Sequence, residues 1–362
     1  MKQGNLMSNI ELYLENMPWY IKEFYYSRLS IPLSYRTLYE YLKEYKRFLN
    51  WLFEADITSI QATKDIPIEI LAELSKSDME AYFIYLREKH TLNFNQKSGS
   101  HQLSEATVNR TRVALSSLFK FLTEETENDN KEPYFYRNVM KKIKFKTKKN
   151  TLSSRAANIK PKLFLGNETK EFLHYIEHDY PLNAQLSARA YSSYKKNLER
   201  DLAILALFLS TGIRLSELIN TNLNQINLNT MSIEVTRKGG AKDMVAIAPF
   251  AKPYILAYLD IRKSRYRATA QDVSLFLTLN GGVPGRPSGR TVERMVEKYS
   301  SSFKVRVTPH KLRHTFATRL YEKTKNPILV ANQLGHTDGN TQTVATYAHI
   351  LDDATVDALS DL

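Results

Sequence analysis

At 362 residues the chain is long enough for two domains, at about 150 residues apiece, each able to bury its own core. Lys and Arg number 51 against 38 Asp and Glu, and the formal charge of +13 favours a polyanionic partner, nucleic acid ahead of an anionic membrane surface. There is no cysteine, which excludes a disulfide framework, a thiol nucleophile and thiolate metal sites, and the longest wholly apolar run, Leu202 to Leu209, is far too short to span a bilayer.

The polar start MKQGNLMSNIE lacks a signal-peptide core. With 12 Gly and 12 Pro against 22 Tyr and 16 Phe, long helices packed through aromatic side chains are expected. Between Tyr35 and Glu54, residues Leu38, Tyr41, Leu42, Tyr45, Phe48, Leu49 and Leu52 recur at i, i+3, i+4 and i+7, one apolar helix stripe, with Arg36, Lys43, Lys46 and Arg47 largely on the other side. A second helix is predicted from a capping box at Ser77-Asp78-Met79-Glu80 to about Lys89. A third starts near Ser104 and carries Val108, Leu115, Leu118, Phe119 and Leu122. Polar turns at 93–102 and 127–133 separate these elements. The pattern predicts a helical, DNA-binding domain over 1–145. Arg36, Lys46, Asn109, Arg110, Lys141 and Lys142 are its candidate DNA contacts, and a solvated helix face is the plainer reading of any one of these charges.

From Lys141 to Lys149 the chain reads KKIKFKTKK, six lysines in nine residues, followed by a Ser/Asn/Lys stretch with Pro161, so 146–161 is predicted to be a basic linker. Such a charge run suits a segment that crosses a duplex, or a solvated tether. Helical patterns return at about 167–178 and 198–211, the second closing at Gly212. MSIEVTR (231–237) alternates apolar and polar, DMVAIA (243–248) is a second strand-like run, and KGGAK joins them as a hairpin with a lysine at its tip. Further helices are predicted at about 250–263, 289–303, 309–323, 327–334 and 353–361. The fold class is mainly α: a helical N-terminal domain, then a mostly helical domain over 162–350 with a small antiparallel sheet, then a tail, 351–362.

Four clusters place cationic or imidazole groups beside glycine or a helix end: TGIRLSEL (211–218), RKGG (237–240), HKLRHTFATRL (310–320) and LGHTDGNTQTVATYAH (334–349). Two arginines, a lysine and two or three histidines in one cleft suit a phosphoryl transition state, because guanidinium forks clasp non-bridging oxygens while lysine or histidine handles protons. Tyr347 is then the candidate nucleophile. A phenol of ordinary pKa about 10 needs a base and nearby positive charge to attack phosphorus at neutral pH.

These motifs, in this order over about residues 160–350, resemble the Arg, Lys, His-x-x-Arg, His and Tyr of the tyrosine site-specific recombinases, the phage-integrase family. The resemblance implies that Arg214 and Arg313 grip the scissile phosphate, Lys238 protonates the leaving 5′ oxygen and His310 is the acid–base partner. His336 would hydrogen-bond the phosphate, Tyr347 would form a 3′-phosphotyrosyl link, and Glu217 would buttress the site. The segments MPWYIKEFYYSRL, LYEYLKEYKRFLNWL and EPYFYRNVMKKI are similar to the single-enzyme Xer branch of streptococci and lactococci, which extends the resemblance over nearly the whole chain. It implies a cytoplasmic, C-shaped two-domain clamp on double-stranded DNA with paired half-sites, acting as a homotetramer on two sites. It also implies resolution of chromosome dimers at a dif-like site, coupling to a septal DNA translocase, a C-terminal tail docked on the neighbouring protomer, and no metal, other cofactor or membrane insertion. One departure stands out: His336 and Tyr347 are eleven positions apart, longer than the family's usual spacing, with the extra residues at the turn around Asp338-Gly339-Asn340.

Taken singly, each residue has a plainer role: Arg214 as ion-pair partner of Glu217, Lys238 as a hairpin-tip lysine, Tyr347 as packing. His314, His349, His174 and His178 read as structural or surface residues. One rival class is a metallohydrolase built on His310, His314 and His336, which Lys311 and Arg313 oppose by crowding a dication, and for which HKLRH lacks a glutamate base. A second is a DNA-binding protein without chemistry. Within the enzyme class, an integrase of a phage or conjugative transposon would use identical chemistry.

Overall fold

The structure, a computed structural model, describes residues 3–31, 33–88, 90, 91, 101–145, 151–183, 185–335, 345–347 and 350. It divides into two compact units, Met1–Thr147 and Lys148–Leu362. The first holds helices α1 (Gln3–Glu15), α2 (Trp19–Leu29), α3 (Tyr35–Glu54), α4 (Ile68–Glu73), α5 (Lys76–Glu88) and α6 (Glu105–Lys120). Two-residue strands β1 (His90–Thr91) and β2 (His101–Gln102) pair antiparallel between α5 and α6.

The apolar stripe of α3 faces inward as its period requires: Leu38, Leu42, Tyr45, Phe48, Leu49 and Leu52 are buried, and Trp51 joins them. The core is aromatic. Tyr82 meets Phe48 and Trp51 at ring separations of 5.0 and 4.9 Å, and Phe24 meets Tyr45 and Phe121 edge-on at 5.6 and 5.4 Å. Glu44 is buried on the same helix, where it pairs with Arg47 at 2.7 Å and accepts from the Thr111 hydroxyl at 2.7 Å. The capping box of α5 lies two residues earlier than predicted: Asp78 accepts the Ser75 amide at 2.7 Å, and Ser75 Oγ accepts the Asp78 amide at 3.1 Å. The beginning of the lysine run packs as well. Phe145 meets Phe83 edge-on at 4.7 Å and lies beneath the guanidinium groups of Arg87 and Arg112 at 5.7 and 5.3 Å, while Lys141, Lys142 and Lys144 face solvent. Residues 146–150 lie outside the described residues.

The second unit comprises α7 (Leu152–Ile159), α8 (Glu168–His174), α9 (Tyr180–Asn183), α10 (Ala188–Thr211), α11 (Leu215–Asn220), α12 (Lys252–Tyr266), α13 (Gly289–Phe303), α14 (Pro309–Thr324) and α15 (Pro327–Leu334). Strands β3 (Ile226–Asn227), β4 (Ser232–Thr236) and β5 (Lys242–Ala246) form an antiparallel sheet in that order, and β6 (Thr278–Asn280) pairs with β7 (Val283–Gly285). The linker expected at 146–161 is therefore cut short by α7. The Thr151 hydroxyl caps this helix by accepting the Ser154 amide at 3.2 Å, and Ala156 is buried in a cluster with Phe316, Val330, Leu334 and Tyr347. Leu152, Ala156 and Ile159 fall at i, i+4 and i+7, but a stripe of three residues between a lysine run and Pro161 is short, which is why LSSRAANI reads as a tether.

Helix α10 spans about 36 Å, and its C-terminal residues Leu202 to Thr211 are buried on every side, packed against α12 and α14. It ends where predicted: Gly212 adopts φ +67°, and its amide donates to the Phe208 carbonyl at 3.0 Å. A Cβ at this position would overlap the Phe316 ring and come within 2.9 Å of Leu334 Cδ2. Gly212→Ala combines left-handed strain with overpacking and is expected to destabilise the protein by roughly 2–4 kcal/mol, read from the urea midpoint at unchanged slope. A loss below about 0.5 kcal/mol, the usual range for an uninvolved surface site, would contradict this packing.

Candidate active site

Several segments meet at the end of α10. The turn at Gly212 sends the chain back so that Arg214 stands before the first turn of α11, with Glu217 3 % exposed one turn later. Glu217 accepts the Arg214 amide at 2.7 Å and its guanidinium at 2.8 Å. Arg237, at the root of the β4–β5 turn, adds a third bond to the same carboxylate at 3.1 Å. Burial pushes the Glu217 carboxyl up, but the hydrogen bonds from Arg214 and the charges of Arg237 and Arg214 outweigh it and hold the group below the usual carboxylate range.

Helix α14 supplies the other wall. Pro309 occupies its first turn, where a missing N–H costs nothing, and His310, Arg313 and His314 fall at i, i+3 and i+4 on one face. Arg313 is 4 % exposed and donates to the Gly212 carbonyl at 2.8 Å and the Leu334 carbonyl at 2.7 Å. Those carbonyls are the C-terminal ends of α10 and α15, so the cation sits between the negative poles of two helices. Burial, with Arg214 adding to it, pushes its pKa down to about 10, which still leaves it charged at neutral pH. The two bonds use two of its five N–H donors.

His310 and His314 face each other, Nε2 to Nε2, at 3.1 Å, so one ring donates and the other accepts. Desolvation and the charges of Arg313, Lys311 and Arg214 lower the His310 pKa, which makes its ring neutral at pH 7. The His314 ring lies 5.6 Å from that of Tyr347, which is 1 % exposed. Burial pushes the Tyr347 phenol up to about 12, with the Arg313 charge acting against it. The arrangement joins guanidinium donors for an anion, a neutral imidazole for proton transfer and a phenol for nucleophilic attack.

Of the expected catalytic residues, Arg214, His310, Arg313 and Tyr347 are brought together, with Glu217 beneath them. Lys238 is not: it is exposed at the hairpin tip, before Gly239 and Gly240 at φ +97° and +92°, and makes no hydrogen bond or ion pair among the described residues. His336 and the turn at 338–340 lie outside the described residues; Gly335, just before them, accepts from Arg214 at 3.5 Å. One residue of the site, Arg237, escaped sequence reasoning. His314, read as structural or surface and weighed as a ligand only in the metal-binding rival, is buried between His310 and Tyr347. Arg237 was passed over for its neighbour; its clue was the acidic Asp243 across the turn, which it reaches at 2.9 Å. Among the described residues no three His, Asp or Glu side chains are grouped to hold a metal ion.

The candidate DNA contacts of the first unit lie on its own surface. Arg36 and Lys142 are exposed, Lys46 Nζ lies 5.4 Å over the Tyr13 ring, and Asn109 accepts from Arg112 at 3.0 Å. Arg110 lies 3.7 Å from Glu40, which Lys43 also holds, and Lys141 lies 2.7 Å from Glu124 at the surface.

Residues 182–353 match the model of the Phage integrase family. Over 362 residues, all of both chains, the sequence is 56% identical to tyrosine recombinase XerS of Streptococcus agalactiae serotype III (strain NEM316). The fold is similar to that of the XerH site-specific recombinase bound to palindromic difH substrate, with a TM-score of 0.61 at 20% identity, covering 90% of this chain and 79% of that one. It is also similar to the Tn1549 transposon integrase in complex with circular intermediate DNA, with a TM-score of 0.57 at 20% identity over 95% and 99% of the two chains. No helix among the described residues is long and apolar enough to cross a membrane.

Because the Glu217 pKa is depressed by folding, its stabilisation is fully present above the unfolded value of about 4.3 and is lost as pH falls through the folded value. Urea melts between pH 6 and pH 3 should therefore show wild type losing more stability than Glu217→Gln, which starts lower and titrates less. Parallel curves for the two proteins would remove Glu217 as the keystone of the site.

Proposed function

The chain belongs to the Xer-type tyrosine recombinases, enzymes of site-specific DNA strand exchange, and we propose that it resolves chromosome dimers at a dif-like site during segregation and cell division. The observation that carries this reading is likeness over the full length: 56% identity to XerS runs through all 362 residues, the helical first unit included. The XerH neighbour, whose structure holds difH DNA, supports a target of that kind. In this reading the protein acts in the cytoplasm as a homotetramer on two DNA sites with paired half-sites. The first unit and the lysine run 141–149 hold the half-site, the second unit cuts it, and the tail 351–362 docks on the neighbouring protomer. A septal DNA translocase would bring the sites together, and no metal or other cofactor takes part.

Arg214 and Arg313 clasp the scissile phosphate, the first through donors left on a side chain 37% exposed, the second from its seat between helix ends. The Tyr347 oxygen attacks phosphorus, forming the 3′-phosphotyrosyl bond as the bond to the 5′ oxygen breaks. A phenol at about 12 must lose its proton in that step, and neutral His310 would accept it by way of His314, whose ring lies between the two. Lys238 returns a proton to the leaving 5′ oxygen, and His336 hydrogen-bonds the phosphate. A 5′ hydroxyl from the partner strand then reverses the chemistry, so one phosphodiester is exchanged for another and the bond energy is kept.

Tyr347→Phe removes only the nucleophilic oxygen, so it should bind target DNA as wild type does and give no covalent adduct on a nicked substrate. An adduct from this variant would overturn the assignment. Mapping wild-type adducts on DNA from the host's replication terminus tests the cellular role: attachment at one dif-like site is expected, and attachment at the ends of a mobile element instead would make the protein an integrase.

A further inference from the structure

The turn that carries Lys238 has a fixed root and a free tip. Arg237 closes the turn through its backbone, its amide donating to Ala241 at 2.8 Å and its carbonyl accepting from Gly240 at 3.0 Å. Its side chain, 9% exposed, holds partners on three elements: Glu217 on α11 at 3.1 Å, Asp243 on β5 at 2.9 Å and the Gln333 carbonyl on α15 at 3.1 Å. Gly335, at φ +63°, makes room for it. A Cβ there would overlap the guanidinium and come within 2.9 Å of Arg237 Cδ. Lys238 is the next residue, exposed and unpaired among the described residues, so the position of its Cα is set by Arg237.

We propose that Arg237 is a positioning residue for the proton donor: by fastening the root of the turn to the carboxylate that also holds Arg214, it makes Lys238 and Arg214 address the same phosphate. This rests on the reading of Lys238 as the acid that protonates the 5′ oxygen. Arg237 does not meet the substrate, since its guanidinium is engaged by Glu217, Asp243 and Gln333 and walled by Gly335. A lysine at this position keeps the charge but lacks the planar fork needed to hold three partners at once.

The test compares cleavage of nicked DNA carrying either the ordinary oxygen or a sulfur in place of the bridging 5′ oxygen of the scissile phosphate. A thiolate leaves without being protonated, because a thiol is far more acidic than an alcohol, so a misplaced acid slows only the oxygen substrate. Arg237→Lys and Arg237→Gln should cleave the oxygen substrate roughly 100-fold slower than wild type and the sulfur substrate within about threefold of it, with unchanged DNA binding in gel shifts. Lys238→Ala should show the same rescue. If sulfur rescues Lys238→Ala but neither Arg237 variant, Arg237 acts through the phosphate clasp or the fold, and the proposal fails while the reading of Lys238 stands. If Lys238→Ala stays slow on both substrates, that reading fails and the positioning role falls with it. Should Arg237→Gln not fold, Arg237→Lys carries the comparison, because it leaves a cation beside Glu217 and Asp243.

Discussion

The Glu217 carboxylate, buried and shared by Arg214 and Arg237, is the interaction on which the rest of the second unit depends. Three guanidinium groups in one small volume repel one another, and in a partly dry site that repulsion is large. A single carboxylate with both oxygens engaged turns two of them into a fixed frame, and its own burial is tolerable because three hydrogen bonds meet it. The third, Arg313, is held by backbone instead, between carbonyls at the ends of α10 and α15. Positive charge is thereby concentrated in a fixed frame before any DNA arrives. That is preorganisation in its simplest form: the cost of bringing cations together is met in folding and not at the moment of reaction.

The same frame explains the state of the other reactive groups. Burial, with the cations around it, lowers the His310 pKa, which suits a proton acceptor. Tyr347, packed with Ala156, Phe316 and Leu334, is by contrast a weak nucleophile as it stands, with a phenol near 12 and almost no exposed surface. Its reactivity has to come from a base and from the nearby Arg313 charge. Recruiting α7 into that packing gives the segment after the lysine run a part in the site, through Ala156 and Ile159.

Much was legible in the sequence where one local rule sufficed. The stripe on α3 needs only the helix period, the end of α10 needs only a glycine able to take positive φ, and the hairpin needs two alternating runs with glycines between them. Four of the motif residues that meet in the site were named from their residue types and order. Where two rules competed, reading was less secure. The box at Ser75 and Asp78 and the pattern at Ser77 and Glu80 are equally good strings, and only the helix start chooses between them.

The sequence by itself determined a basic, cysteine-free, mostly helical chain in two parts, because charge, period and residue type are properties of short stretches, and its resemblance to the recombinases offered Arg214, Lys238, His310, Arg313, His336 and Tyr347 as candidates. Only the tertiary structure decided that Arg237 joins Arg214 on Glu217, that His314 lies between His310 and Tyr347, that Arg313 rests on two helix ends, and that α7 is not a linker. Each of those depends on where segments far apart in the chain come to rest. A hydrogen bond from residue 313 to residue 212, or from 237 to 333, has no local periodicity to announce it. It exists because α14 packs against both α10 and α15, and side-chain geometry a few ångströms wide is set by that packing alone.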